Sequence, residues 1–235
     1  NPDVAFGTLF EGDADDDNEI ALSDHSILYD AFGKDDSRAD FNQDDTVDIL
    51  DYSLLYSNFG KSGPIYYAPG DKGMAYTVEA EPVVFRVTGG ELPHGETLEV
   101  QVLILSGDTQ VDGCELRLGF DPTHLRVVDE TGIPVTEVTT GTHLLNIIRN
   151  EVDNAGGSIY YAAGTEFGAP RPSGELLVAK FLLTPEAGFG GETVVGVEEV
   201  IISYAGLPLS TTLEEGRIVV SGLRYGYLPL VYSSH

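Results

Sequence analysis

The sequence predicts a two-domain protein: a small all-α module of duplicated loops and helices, followed by an all-β sandwich. Three observations predict it. Two copies of one loop pattern stand 27 residues apart near the start of the chain. Each is followed by a short helix-period segment that ends in glycine. From Ala75 onward the texture changes to short β-rich runs separated by Gly, Pro and Asp turns.

The first loop reads Asp13 to Asp24 and the second Asp40 to Asp51. Side-chain oxygens fall at loop positions 1, 3, 5 and 12 in both: Asp13, Asp15, Asp17 and Asp24, then Asp40, Asn42, Asp44 and Asp51. Calcium takes about six to eight oxygens at roughly 2.3–2.6 Å, and alternate residues of a curled loop can aim them at one centre. Position 7 supplies a backbone carbonyl, here from Glu19 and Thr46. The loops are EF-hand-like, and the expected cofactor is two Ca2+. Position 6, where the loop pattern asks for Gly, holds Asn18 and Asp45, two residue types that tolerate left-handed backbone. An apolar residue occupies position 8 each time, Ile20 and Val47, where it can pack behind the ion.

The repeat extends beyond the loops and pairs Ser26 with Ser53, Leu28 with Leu55, Tyr29 with Tyr56, Phe32 with Phe59, Gly33 with Gly60 and Lys34 with Lys61. Helices are expected over 24–33 and 51–60. Ile27, Leu28, Ala31 and Phe32 form one apolar face, Leu54, Leu55 and Phe59 the other, and Gly33 and Gly60 are the stops. Only Asn1 to Glu11 precede the first loop, with Pro2 and Gly7 among them, so each unit is a loop followed by a helix.

This duplicated unit resembles a dockerin module over about residues 8–63. The resemblance implies two bound calcium ions and a cohesin module as partner. It places the partner-reading residues at loop positions 10 and 11 (Leu22 and Ser23, Ile49 and Leu50) and further along each helix (Tyr29 and Asp30, Tyr56 and Ser57), with Lys34 and Lys61 after them. Positions 10 and 11 are more apolar than the hydroxyl pair of the best-known dockerins, and local core packing is the other reading of Leu22, Ile49 and Leu50. The near-matched pairs suggest two docking surfaces, alternative or joint, related by a pseudo-twofold axis.

The domain boundaries read as 1–64 for the calcium-loop module, 65–74 for a linker, 75–221 for the sandwich and 222–235 for a tail or an extra strand. Strands are expected near 76–88, 96–106, 111–120, 124–129, 134–140, 143–150, 157–163, 175–184, 192–204 and 216–220. Alternation is clearest in Leu98-Val100-Val102-Ile104 and Leu116-Leu118-Phe120. Several phrases resemble a cohesin module: Gly119 to Val128, Gly157 to Gly164 followed by Gly174 to Phe181, and Gly216 to Val220. That resemblance implies a nine-stranded jelly roll with one flat sheet face that receives a dockerin. A carbohydrate-binding sandwich carried on a dockerin is the alternative. The absence of Trp argues against it, and Tyr160 and Tyr161 are the rings left to serve as a sugar platform.

Charge excludes some partners. The chain carries a formal net charge of −27. Residues 1–64 hold 16 acidic and 3 basic side chains, and residues 65–235 hold 23 and 9. Nucleic acid and anionic lipid should repel such a chain. No run reaches the ~18–20 apolar residues of a membrane span. No signal peptide is visible and the chain does not begin with Met, so it reads as a processed or truncated fragment. Cys114, the single cysteine, excludes an internal disulfide and lies in an alternating strand pattern that favours a buried thiol.

No catalytic constellation is present. The five histidines are scattered, and no nucleophile elbow, phosphate loop or dinucleotide fingerprint occurs. Glu198-Glu199 and Glu214-Glu215 are adjacent strand residues that face opposite sides, which suits solvated positions better than an acid/base pair. The expected function is a non-catalytic adaptor, monomeric, extracellular or at the cell surface. Its first module would plug into a cohesin and its second would receive a dockerin. Because both modules are strongly acidic and an adaptor needs both ends free, they are expected not to pair with each other.

Overall fold

The computed structural model describes residues 11–62 and 82–221. The expected linker (65–74), the start of the first expected strand (76–81) and the tail (222–235) lie outside the described residues. Two helices come first, α1 (Leu22–Ala31) and α2 (Ile49–Asn58). Each begins two residues before its expected start, because the position-12 carboxylate also closes a helix cap. Asp24 Oδ2 accepts from the Ala21 N–H at 2.8 Å, and Asp51 Oδ2 accepts from the Asp48 N–H at 2.9 Å. Gly33 and Gly60 follow the helix ends with φ of 75° and 79°, a left-handed conformation that costs glycine least.

The two units are tied reciprocally by the apolar residue at loop position 8. Ile20 donates to the Lys61 carbonyl at 3.0 Å and accepts from the Gly60 N–H at 2.8 Å. Val47 makes the same pair of bonds to Lys34 and Gly33, at 2.9 and 2.8 Å. Each loop is thus fastened to the end of the other unit's helix, which gives the module its pseudo-twofold symmetry. Ile20, Leu28, Phe32, Val47 and Leu55 fill its core.

The sandwich follows. One sheet contains β1 (Val83–Val87), β3 (Leu98–Leu105), β5 (Leu125–Val128), β6 (Thr139–Thr140), β9 (Glu175–Pro185) and β12 (Thr211–Glu214), in the order β12-β1-β3-β9-β5 with β6 also on β9. The other contains β2 (Gly90–Pro93), β4 (Gly113–Gly119), β7 (Asn146–Asp153), β8 (Ser158–Gly164), β10 (Gly191–Tyr204), β11 (Leu207–Pro208) and β13 (Gly216–Ser221). Its order is β2-β13-β10-β4-β8-β7, with β11 on β10. Pairing is antiparallel except for β1 with β12 and β13 with β2. The described residues hold thirteen strands rather than the implied nine, because the short segments β2, β6, β11 and β12 also find hydrogen-bonding partners. The expected strand at 134–140 shrinks to Thr139–Thr140.

Alternation places Phe85, Val100, Val102, Ile104, Val178, Phe181 and Leu183 of one sheet against Cys114, Leu116, Leu118, Ile159, Tyr161, Ile202 and Ile218 of the other. Cys114 is fully buried, and burial pushes its thiol up, as suits an inert core residue. The same alternation turns Gly113, Glu115, Tyr160, Ala162, Gly164, Ile201 and Ser203 to the outer face of the second sheet. The calcium-loop module sits on that face, with α2 across β10, β4 and β8. The expectation that the two modules stay apart is therefore overturned.

Candidate calcium loops and inter-module interface

The two loops share one hydrogen-bond pattern. Asp13 accepts from the N–H groups of Asp17 (3.1 Å) and Asn18 (2.9 Å), and Asp40 from those of Asp44 (3.1 Å) and Asp45 (3.0 Å). Asp15 and Asn42 accept from position 5, and Asp17 and Asp44 from position 7, where Glu19 and Thr46 stand. Positions 4 and 6 are left-handed in both loops: Asp16 and Asn18, Gln43 and Asp45, with φ between 60° and 73°. Asn and Asp thus take the backbone role of the missing glycine.

One carboxylate oxygen from each of Asp13, Asp15 and Asp17 lies within 4.8 Å of the others. That spread fits oxygens arranged about one centre at calcium distances. In the second loop Asn42 replaces the middle carboxylate and donates to Asp44 at 2.9 Å, so that loop offers fewer negative ligands. Asp24 and Asp51 are fully buried. Burial pushes the Asp51 carboxyl up to about 6, a penalty that a neighbouring dication would offset.

The interface between the modules is built around glycines. A Cβ on Gly164 would lie 2.0 Å from Cε1 of Tyr52, one on Gly113 would lie 2.5 Å from Cγ1 of Ile49, and one on Gly206 would lie 2.3 Å from Cδ2 of Leu54. Three side chains of α2 thus rest directly on sandwich backbone. Polar groups fix the seat. The Tyr52 hydroxyl donates to the Thr165 carbonyl at 2.5 Å and accepts from Asn146 Nδ2 at 3.0 Å. The Tyr56 hydroxyl donates to the Ala169 carbonyl at 2.6 Å. Phe59 stacks on Phe167 with ring centroids 4.1 Å apart.

Asp112 is the polar centre of the contact and is fully buried. It accepts from Ser53 Oγ (2.7 Å), Ser203 Oγ (3.1 Å), the Ala205 N–H (2.7 Å) and Arg171 Nε (3.2 Å). Arg171 also donates to Ser57 Oγ at 2.8 Å and lies over the rings of Tyr56 and Tyr204, 5.0 Å from each centroid. Burial pushes the Asp112 carboxyl up, and these donors pull it back. Glu115 lies beneath the start of α2, accepts from the Tyr160 hydroxyl at 2.7 Å and from the Ile49 N–H, and is also pushed up by burial.

The residues expected to read a partner divide between the units. Ile49 is fully buried, Leu50 and Tyr56 are half-buried, and Lys61 is exposed and donates to Asn58. In the first unit Leu22 is 64 % exposed, Tyr29 is 48 % exposed, and Ser23 and Lys34 are also exposed. Sequence reasoning named Ser57, which accepts from Arg171, but missed Tyr52 and Ser53 of the seated face, and all of the sandwich face. The signal for Tyr52 and Ser53 lay in the spacing of Ile49, Tyr52, Ser53 and Tyr56, a second helical stripe beside the core stripe.

Other expectations meet a mixed outcome. Tyr161 is buried in the sandwich core and Tyr160 lies under the calcium-loop module, so neither ring offers a sugar platform. Glu198, Glu199, Glu214 and Glu215 are all exposed, and Glu199 and Glu214 pair with Arg117 and Arg86.

No protein-family model and no curated relative matches the chain. Solved structures match its sandwich. CaCohA2 of Clostridium acetobutylicum, determined in solution, is 20 % identical with a TM-score of 0.52, over 63 % of this chain and 96 % of its own. A chain of a type I cohesin–dockerin complex from Clostridium thermocellum is 12 % identical with a TM-score of 0.50, over 60 % of this chain and 100 % of its own. The second module is a cohesin-like β-sandwich by fold. It is preceded by a small helical, calcium-loop region consistent with a dockerin module.

Proposed function

We propose that this chain is a non-catalytic adaptor for calcium-dependent, cohesin–dockerin-type assembly outside the cell, and that it carries both halves of one such interface. The observation that carries this reading is the seat of α2. Three glycines leave room for its side chains, and a buried Asp112–Arg171 pair answers its two serines. A contact with that degree of shape and polar match is an interface rather than incidental packing. In this reading each loop holds one Ca2+, ligated by Asp13, Asp15, Asp17, Glu19 and Asp24, and by Asp40, Asn42, Asp44, Thr46 and Asp51. The ions hold the helices in the docking shape. The cohesin-like face accepts a dockerin-like module, and the calcium-loop module accepts a cohesin-like face, within one chain or between chains. Carbohydrate-active or surface proteins are the cargo such a connector would join.

The test is complementation between two disabled copies. Ser53→Glu sets a carboxylate against buried Asp112, and Gly164→Val fills the place of the Tyr52 ring. Each variant alone should be a monomer with its own contact open. Mixed with calcium, the intact sandwich of the first and the intact helix of the second should form a 1:1 heterodimer by light scattering, lost on adding chelator. Monomers in the calcium-loaded mixture overturn the reading.

A further inference from the structure

The calcium-loop module carries two helices of nearly the same face, yet only α2 lies across the sandwich sheet, while α1 touches its margin where His25 meets Asn146 at 3.4 Å and the Phe167 ring at 5.1 Å between centroids. The seated face of α2 includes Ile49, Tyr52, Ser53, Tyr56 and Ser57, together with Leu54, whose partner in the repeat is the equally apolar Ile27. The 27-residue repeat places Leu22, His25, Ser26, Tyr29 and Asp30 at the matching positions of α1. Three pairs match closely: Leu22 with Ile49, Ser26 with Ser53, Tyr29 with Tyr56. The reciprocal bonds of Ile20 and Val47 relate the units by a pseudo-twofold axis, so a half-turn of the module would bring α1 to the place of α2. The 19 residues between Ser62 and Pro82 have an extended reach of up to ~65 Å, so chain length does not forbid that turn. Fit at the sandwich face must therefore choose between the helices.

We infer that Tyr52 and Ser57 are the specificity-determining residues by which the sandwich selects the second unit, and that His25 and Asp30 reject the first. This rests on the reading of the α2 seat as the docking interface.

At the Tyr52 position the ring lies on the backbone of Gly164, and its hydroxyl satisfies both the Thr165 carbonyl and the Asn146 amide. Thr165 is 1 % exposed, so water is a poor substitute there. A histidine side chain is shorter than a tyrosine. Turned into this place, His25 leaves the carbonyl without the donor it now has, and a lost buried hydrogen bond shifts an equilibrium by ~10-fold or more.

At the Ser57 position the neutral hydroxyl accepts from Arg171, whose Nε is already engaged by buried Asp112. Asp30 would bring a second carboxylate to one guanidinium beside that buried carboxylate, and like charges at one buried site disfavour ionisation. Both differences point the same way. At Leu22, Ser26 and Tyr29 the first unit has nothing to lose.

The experiment exchanges the four residues in the full chain: His25→Tyr and Asp30→Ser in α1, Tyr52→His and Ser57→Asp in α2. The reporter is a cysteine placed singly at Ser26 or Ser53. The native Cys114 is fully buried and does not compete. Ser53 is fully buried by the sandwich, whereas Ser26 is exposed. With the original helices and calcium, thiol labelling at position 53 should be at least ~10-fold slower than at position 26, the factor that ~1.4 kcal/mol provides. In the exchanged chain the two rates should trade places. Continued slow labelling at position 53 overturns the assignment, because some other residue then chooses the helix. Fast labelling at both positions also overturns it, because the exchanged pair then fails to confer docking. Neither result bears on whether the modules pair at all, which the heterodimer reads separately.

Discussion

Gly164 and Tyr52 show how one atom sets the contact between the modules. The ring approaches the Gly164 backbone so closely that an added Cβ would stand 2.0 Å from it, and the ring cannot slide away while its hydroxyl is held by Thr165. Gly164→Ala should therefore open the contact while the sandwich, whose core lies on the other side of the sheet, keeps its melting temperature. Protease cleavage between the modules is the measurement, and an unchanged cleavage rate would refute the steric argument. Glu115 gives a pH signature. Burial raises its pKa above the ordinary glutamate value, so the folded, docked form favours the proton. The sign follows: the ionised carboxylate costs stability above the folded pKa, and the cost fades as pH falls through it toward the unfolded value. Glu115→Gln should stabilise the docked chain at pH 7.5 with saturating calcium, because it removes a charge that burial disfavours. The gain should shrink at pH 5 in denaturant titrations of both proteins. A gain independent of pH would mean that the charge is not the cause.

At the scale of elements, the calcium loops were the most legible part of the chain. Alternate Asp residues, an apolar position 8 and a carboxylate at position 12 have local reasons, and the left-handed Asn18 and Asp45 follow from the same loop geometry. Helix starts were read two residues late because the position-12 carboxylate also caps the helix, a double duty that the loop pattern alone does not reveal. The loops make a direct prediction. Asp13→Ala and Asp40→Ala should each remove one of two calcium ions by calorimetry. The second site should be the weaker, because Asn42 supplies no charge where Asp15 does. Equal affinities would show that the middle ligand contributes little. The strands were legible where alternation was strict, as in β3 and β4. They were missed at β2, β11 and β12, where a segment of two to four residues joins a sheet edge that only the fold provides.

For the whole molecule, acidic net charge proved a poor guide to whether the modules meet. Both are acidic, yet short-range fit and the Asp112–Arg171 centre outweigh a repulsion that salt screens. Tethering helps as well, since two modules on one chain see each other at an effective concentration near the millimolar range. Chelator should therefore have two effects at once. On the proposed reading the small module, with about 50 described residues and few large apolar side chains, should depend on bound calcium to fold, because its clustered carboxylates repel one another without it. Circular dichroism should lose its helical component and the Stokes radius should rise, while the sandwich melts as before. Retained helix and an unchanged radius in excess chelator would show that the α2 contact alone holds the module.

The sequence by itself determined the features whose physics is local. These were the two oxygen-rich loops, the helices behind them, the glycine stops, the strand alternation and the buried cysteine. Tertiary structure alone decided which sheet face is covered and which helix covers it. Gly113, Gly164 and Gly206 are ordinary glycines in the sequence, and they acquire meaning only when Ile49, Tyr52 and Leu54 arrive from residues far away in the chain. The same holds for Asp112, whose partners Ser53, Arg171, Ser203 and Ala205 are scattered along the sequence. Spacing reports the neighbours that a residue meets within one element, whereas a docking face is assembled from contacts across elements.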